Sequence, residues 1–268
     1  MRLTYLTEVP FITPDVAYAV SYGTLYLVEK TDPTTLWSFN TIGGPSFGPS
    51  FAWTHLEKTI EPIEHMTTTT FNDTTYIVIS FKNIISVYKL NGELEHRVPV
   101  LGNVIAVSSG SVGGGYIITD QGNVYSMRDL ELYLYATIPD FDLQDFSLIE
   151  YLDKPYIIGG MGKNGTSTNI VCVDRNTKMD DFNGDCPEAY KPAAFIKNGT
   201  ASVLNAITPS VSDEVMPSGF HYDLVTKNVS AFSFPMRMEN IKVANGDSLL
   251  LICHDIYPVG NSIWRLDL

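Results

Sequence analysis

The clearest structural signal lies near the middle of the chain, in Tyr116-Ile117-Ile118-Thr119-Asp120-Gln121-Gly122-Asn123-Val124-Tyr125-Ser126-Met127. The stretch begins with a short apolar strand, continues through a polar turn that contains a glycine, and ends in a second strand with alternating residue types. β-branched and aromatic residues favour extended backbone, and glycine permits turn angles that other residues avoid. This hairpin is therefore the predicted building unit of an all-β protein.

The same two-part unit recurs along the whole chain. We identify six units in the sequence, with a mean spacing of about 48 residues, in the range of propeller repeats. The first strands are 16–20, 76–80, 116–119, 156–158, 214–216 and 249–253. The second strands are 25–28, 87–90, 124–127, 172–175, 221–224 and 263–266.

The spacing predicts a β-propeller of six four-stranded blades, forming one domain over residues 1–268. A blade cannot bury both of its faces alone, so neighbouring blades must cover them, and the inner strands become continuously apolar. We therefore expect the first strand of each unit to lie on the inside of the ring. A β-sandwich with extra strands is the alternative, although it gives no reason for a unit at near-constant spacing.

The two ends of the chain predict how the ring closes. Residues 264–268 form the third strand of the sixth unit, and no outer strand follows them. Leu3-Thr4-Tyr5-Leu6-Thr7 alternates in polarity and precedes the first full unit. Pairing this N-terminal strand with the last blade would cover an otherwise open sheet edge.

Composition excludes some classes of partner. The chain has 17 Lys and Arg against 30 Asp and Glu, and its net charge is −13. Nucleic acids and anionic membrane surfaces both require clustered positive charge, so neither is an expected partner. Residues 1–8 have no apolar core of the kind a signal peptide contains, and no apolar run is long enough to span a bilayer. We expect a soluble protein, in a compartment that the sequence leaves open.

Two units resemble kelch repeats. Tyr156-Ile157-Ile158-Gly159-Gly160 is similar to the strand and double glycine of that repeat, and Asp174 with Thr177 is similar to its capped turn. The turn recurs in 222–227, with the tyrosine present and Phe232 as the closing aromatic residue. The other four units carry different residues where the glycines should stand, so the resemblance implies a weakly kelch-like propeller.

One acidic stretch is a candidate metal site. Asp181, Asn183 and Asp185 offer oxygen ligands at alternate positions around Gly184, as Ca²⁺ loops do. The stretch resembles the calcium hairpins of integrin-type propellers, but it departs from them after Asp185, where the expected glycine and later acid are absent. The alternative is an acidic surface turn, and no other cofactor is predicted.

The cysteines and histidines predict no zinc site. Cys172 and Cys186 are close enough in sequence to form a hairpin disulfide, but buried thiols are the favoured interpretation. No pair of histidines has the spacing of a zinc motif. His55 and His65 are interpreted as solvated loop residues.

The predicted function is that of a non-catalytic binding module whose loops contact a protein or a glycan. Candidate contact loops are 40–53, 107–115 and 159–167. Phe47, Phe51 and Trp53 are the predicted anchors, because large aromatic side chains dominate the binding energy of many interfaces.

The alternative is a propeller-type glycoside hydrolase or lyase, which would place paired carboxylates around the central channel. The candidate acids near strand ends are Asp15, Glu29, Asp120, Asp153 and Asp255. Nothing in the sequence selects a pair among them.

Overall fold

The computed structural model describes most of the chain, and its regular structure consists of strands β1 to β26. The described residues are 2–9, 15–21, 23–30, 35–40, 46–52, 63–108, 115–163, 165–166, 170–174, 179–181, 192–204, 219–232, 239–245, 249–256 and 259–267. These residues contain no helix of the length and apolar character that crossing a bilayer requires.

Twelve strands form the first three blades, each a four-stranded antiparallel sheet. From the innermost strand outward, blade 1 comprises β2 (Val16–Ser21), β3 (Thr24–Glu29), β4 (Thr35–Asn40) and β5 (Ser46–Ala52). Blade 2 comprises β6 (His65–Phe71), β7 (Thr74–Phe81), β8 (Ile84–Lys89) and β9 (Leu94–Pro99). Blade 3 comprises β10 (Val104–Val107), β11 (Tyr116–Thr119), β12 (Asn123–Arg128) and β13 (Glu131–Thr137).

The other three blades have the same antiparallel form. Blade 4 comprises β14 (Ser147–Tyr151), β15 (Lys154–Ile158), β18 (Ile170–Val173) and β19 (Met179–Asp181), with a small hairpin of β16 (Met161–Gly162) and β17 (Gly165–Thr166) between its second and third strands. Blade 5 comprises β20 (Ala193–Lys197), β21 (Thr200–Leu204), β22 (Gly219–Asp223) and β23 (Val229–Phe232). Blade 6 comprises β24 (Glu239–Asn245), β25 (Leu249–Ile256), β26 (Val259–Asp267) and β1 (Arg2–Val9).

The innermost strands complete a ring. Each of β2, β6, β10, β14, β20 and β24 contacts the innermost strand of the next blade, and β24 contacts β2. The prediction of a six-bladed propeller is confirmed.

The N-terminal strand closes this ring, as predicted. β1 pairs antiparallel with β26, from Arg2 opposite Asp267 to Val9 opposite Asn261. Because β1 is the outermost strand of blade 6, that blade combines the two ends of the chain.

The predicted place of the apolar strands within a blade is wrong for four units. In blades 2, 3, 4 and 6 they are the second strands, β7, β11, β15 and β25, and only in blade 1 is the apolar strand, β2, innermost. Residues 214–216, the predicted first strand of the fifth unit, lie outside the described residues.

Side-chain packing gives the physical reason. Six buried hydrophobic clusters lie at the six interfaces between blades. On β7, Ile77 and Ile79 pack toward blade 1, whereas Tyr76 and Val78 pack toward blade 3. A second strand is thus covered on both faces, and both of its alternating rows of side chains must be apolar.

The innermost strand of blade 2, β6, instead carries short polar side chains that bond to both neighbouring blades. Thr67 Oγ1 donates a 2.8 Å hydrogen bond to the carbonyl of Ser108 at the end of β10. Thr68 Oγ1 donates a 2.7 Å hydrogen bond to the carbonyl of Val20 on β2. Successive residues of a strand point to opposite sheet faces, so β6 is joined to blade 3 and to blade 1 by adjacent threonines.

The cysteines that the structure describes are buried thiols. Cys172 lies on β18 and Cys253 on β25. The favoured interpretation of Cys172 as a thiol is therefore confirmed, while Cys186 lies outside the described residues.

Candidate functional site

The two faces of the ring differ in the connections between strands. We call one face the upper face: there the innermost strand of each blade begins and the second strand ends. The opposite face is the lower face. Connections that join strand ends at the upper face include 53–64, 138–146, 159–169, 182–192 and 205–218. At the lower face, the turns between first and second strands are the short segments 22–23, 72–73, 152–153, 198–199 and 246–248, with 108–115 as the one long exception.

The predicted contact loops do not share one face. Residues 159–167 join strands at the upper face, whereas 107–115 join strands at the lower face. The interpretation of 40–53 as a loop is wrong over Ser46–Ala52, which is β5, the outermost strand of blade 1. The reason is that Gly48 and Pro49, which favour turns, are tolerated on an edge strand, near a register shift in the pairing with β4.

The predicted anchors and metal ligands stay largely untested. Phe47 and Phe51 lie on β5, opposite Phe39 and Leu36 of β4, and Trp53 lies outside the described residues. Asp181 is the last residue of β19 and pairs with Val171, while Asn183 and Asp185 also lie outside the described residues. Within the described part of the chain, no three His, Cys, Asp or Glu side chains are grouped as a metal site would require.

The candidate acids divide between the two faces. Asp15 precedes β2, Glu29 ends β3, Asp120 follows β11 and Asp255 lies near the end of β25, so all four lie at the upper face. Asp153 lies at the lower face, in the turn between β14 and β15, where its carbonyl accepts a 2.6 Å hydrogen bond from the Tyr116 hydroxyl.

Asp120 has a structural role. Its two carboxylate oxygens accept 2.8 Å hydrogen bonds from the backbone and side-chain amides of Asn103. These bonds fix the approach of the chain to β10, the innermost strand of blade 3.

A different group of side chains meets at the upper face where blades 6, 1 and 2 join. We call Asp15, Lys30, His65 and Lys242 the upper cluster. The Lys30 ammonium lies 3.6 Å from the Asp15 carboxylate. Lys242 Nζ, on the innermost strand of blade 6, donates a 2.8 Å hydrogen bond to the carbonyl of Val16 on the innermost strand of blade 1.

Backbone hydrogen bonds hold the upper cluster in place. The Lys30 amide donates to the Asp15 carbonyl at 3.0 Å, which continues the pairing of β2 with β3 by one residue. The His65 amide donates to Ser80 Oγ at 3.1 Å, so His65 is held at the start of β6 against the end of β7. Asp15, Lys30 and His65 thus lie at strand ends that their own blades position, whereas Lys242 lies in the middle of β24.

Burial and like charge lower the pKa of two members of the upper cluster, His65 and Lys242. Burial, together with the nearby Lys30 ammonium, lowers the pKa of His65 to about 4. Burial and Lys30 also lower the pKa of Lys242 to about 8, while the Asp15 carboxylate acts in the opposite direction. At neutral pH the imidazole is therefore uncharged, and the two lysines supply the positive charge.

The interpretation of His65 as a solvated loop residue is wrong. Its side chain is partly buried at the first position of an innermost strand. Sequence reasoning also missed Lys30 and Lys242, because no local motif connects them: Lys242 and Val16 are 226 positions apart.

The kelch-like features have the predicted local geometry. Asp223 Oδ1 accepts hydrogen bonds from the amides of Val225 and Thr226, at 2.8 and 2.7 Å, and so caps the turn between β22 and β23. Gly159 and Gly160 both have positive φ, 65° and 105°. These observations confirm the capped turn and show a backbone angle that favours glycine at Gly160, while the family resemblance itself stays a prediction.

Comparison with known proteins supports the fold. No protein-family model and no curated protein matches the sequence. The solved structure of YjhT aligns with a TM-score of 0.66 over 96% of this chain and 95% of that chain, at 11% sequence identity. At this level of identity the likeness extends to the propeller architecture alone.

Proposed function

We propose that this propeller is a non-catalytic binding module that contacts a protein or glycan partner through its upper face. The observation that carries the proposal is the unequal length of the connections at the two faces. Long connections on a rigid scaffold are where binding residues concentrate. Segments 53–64, 138–146 and 182–192 must span from the outermost strand of one blade to the innermost strand of the next. Segments 159–169 and 205–218 join neighbouring strands, for which a short turn suffices, so their length needs a reason beyond chain connectivity.

The upper cluster also supports the choice of the upper face as the binding face. It brings side chains from three blades together, and such convergence depends on closure of the ring. A glycoside hydrolase needs paired carboxylates, but two of the four candidate acids at this face are already engaged, since Asp120 is bound to Asn103 and Asp15 adjoins Lys30. The binding module is therefore preferred to the enzyme.

Loop replacement tests the proposal. In one variant a short Gly-Ser linker replaces 205–218, which joins strands at the upper face, and in the control a linker replaces 109–114, which joins strands at the lower face. Both variants and the wild type are applied to a glycan array and used as bait for proteins. Ligands that the wild type and the control retain, and that the upper-face variant loses, are the expected result.

Thermal melts establish first that both variants fold. If the upper-face variant binds every ligand as well as the wild type does, the proposed binding face is contradicted. Turnover of an array glycan by the wild type would contradict the non-catalytic assignment.

A further inference from the structure

We propose that Lys30 and Lys242 form a site for one oxyanion group, a carboxylate or a phosphate, at the junction of blades 6, 1 and 2. The site deepens the proposed function, on which it rests, by naming the chemistry that the upper face recognises. It does not depend on any of the contact loops predicted from the sequence.

Two contacts bring the ammonium groups together. Lys30 Nζ lies 3.6 Å from the carboxylate of Asp15, and Lys242 Nζ is hydrogen bonded to the carbonyl of Val16. Asp15 and Val16 are consecutive residues, so both ammonium groups flank the same short segment at the start of β2. A single anionic group placed above this segment would accept charge-assisted hydrogen bonds from both.

The summed charge of the upper cluster is positive, whereas that of the protein as a whole is negative. The chain carries a net charge of −13, yet the upper cluster combines two ammonium groups, one carboxylate and one neutral imidazole. The Asp15 side chain is 59% exposed, which leaves much of its charge screened by water, whereas the Lys30 side chain is only 26% exposed. Partly desolvated ammonium groups interact more strongly with an anion than exposed ones do.

These properties also define which ligands the site excludes. Two ammonium groups repel metal cations. A long polyanion such as a nucleic acid would meet the acidic remainder of the surface. The ligand is therefore a small anion, or a larger molecule that presents a single anionic group.

Titration of the full chain with simple oxyanions tests the site. Inorganic phosphate and acetate are added separately at constant ionic strength, with chloride as the balancing ion, and binding is followed by backbone amide NMR shifts. We expect saturable binding with a dissociation constant on the order of millimolar, as suits a single small ion. A preference for phosphate identifies a phosphorylated ligand, and a preference for acetate identifies a carboxylate ligand.

Three lysine variants locate the binding. Lys30→Gln and Lys242→Gln are each expected to weaken binding about tenfold, as loss of a charged hydrogen bond does. Lys197→Gln is the matched control, because Lys197 is exposed at the end of β20, an innermost strand whose end lies at the lower face. Lys242→Gln also removes the bond to Val16, so the melting temperature of this variant is measured. If Lys242→Gln unfolds, Lys30→Gln decides the test.

The proposal is overturned if the wild type shows no saturable shift, or if Lys30→Gln binds as tightly as the wild type. Equal weakening in Lys197→Gln would show nonspecific charge attraction and would overturn it as well. Partner capture by the upper face without oxyanion binding would reject this site and leave the proposed function standing. Oxyanion binding without any partner capture would support this site and reject the proposed function.

Discussion

Tyr5 and Trp264 lie opposite each other on β1 and β26, and their rings meet edge to face with centroids 5.3 Å apart. The indole is oriented by a 2.8 Å hydrogen bond from Trp264 Nε1 to Ser262 Oγ. These residues come from opposite ends of the chain, so their contact is part of the closure of the ring.

Deletion of residues 1–9 is expected to destabilise the whole propeller. The deletion removes β1, exposes the edge of β26 and opens blade 6, which contacts blades 5 and 1. Thermal melts and solubility measurements should show a lower melting temperature and aggregation. An unchanged melt would contradict the role assigned to this strand.

A side-chain substitution tests the same closure more gently. Tyr5→Ala is expected to lower the free energy of unfolding by about 1 kcal/mol more than Tyr133→Ala does, because only Tyr5 loses an aromatic partner across the closing strands. Tyr133 is the control, since both tyrosines are 48% exposed and both lie on outermost strands. Its 2.6 Å hydrogen bond to the Glu131 carboxylate is exposed to solvent and contributes little. Equal losses in urea denaturation would show that the Tyr5–Trp264 contact contributes little.

Adjacent threonines on β6 separate the effect of an inter-blade hydrogen bond from that of burial. Thr68→Val removes the bond to the Val20 carbonyl and is expected to cost about 1–3 kcal/mol of stability. Thr69 is buried to a similar degree, but its hydroxyl has no hydrogen-bond partner among the described residues, so Thr69→Val should be neutral or stabilising. Urea denaturation of both variants measures the difference, and a larger loss for Thr69→Val would refute this explanation.

Two glycines with similar backbone angles test the steric role of the double glycine. Gly160 has a φ of 105° and Gly165 a φ of 109°, so alanine at either position is expected to cost about 1–2 kcal/mol through backbone strain. A Cβ at Gly160 would also lie 2.9 Å from the Gln144 carbonyl oxygen and 2.9 Å from Phe146 Cβ. At Gly165, a Cβ would meet no described atom within 4 Å.

We therefore expect Gly160→Ala to be less stable than Gly165→Ala by about 1–3 kcal/mol, the usual cost of overpacking. Chemical denaturation of the two variants measures this difference directly. Equal stability would mean that the backbone angle alone, and not the close approach of Gln144 and Phe146, requires glycine.

His65 should make the protein sensitive to mild acid. In the unfolded chain the imidazole takes up a proton below its ordinary pKa of 6.5, whereas in the folded protein the pKa is about 4. The unfolded state therefore binds more protons between these values, and stability falls as the pH is lowered through that window. The contribution is on the order of 3 kcal/mol.

His65→Gln lacks this linkage, so its stability should fall less than that of the wild type between pH 7 and pH 4. Denaturation of both proteins across this range gives the difference, and NMR titration of the imidazole gives the pKa itself. Parallel loss of stability in the two proteins would contradict the assignment.

Local sequence patterns predicted the features that depend on neighbouring residues in the chain. The hairpin at Tyr116–Thr119 and Asn123–Arg128 was predictable because an apolar strand, a glycine turn and a second strand occur consecutively. The pairing of β1 with the last blade could be expected because an unpaired edge and an alternating N-terminal strand are both visible in the sequence, whereas the contact of Tyr5 with Trp264 was not predicted. Regular spacing of the units then gave the number of blades.

Tertiary structure decided which strand lies innermost and which residues meet. The sequence shows that Ile77, Val78 and Ile79 are apolar, but only the packing of two neighbouring blades shows that they form a second strand. Lys242 reaches Val16 across 226 residues, and His65 is partly buried by strands that have no local signature. The physical reason is that hydrophobic periodicity records how a strand is covered, whereas the convergence of charged side chains depends on ring closure, which brings distant strand ends to one face.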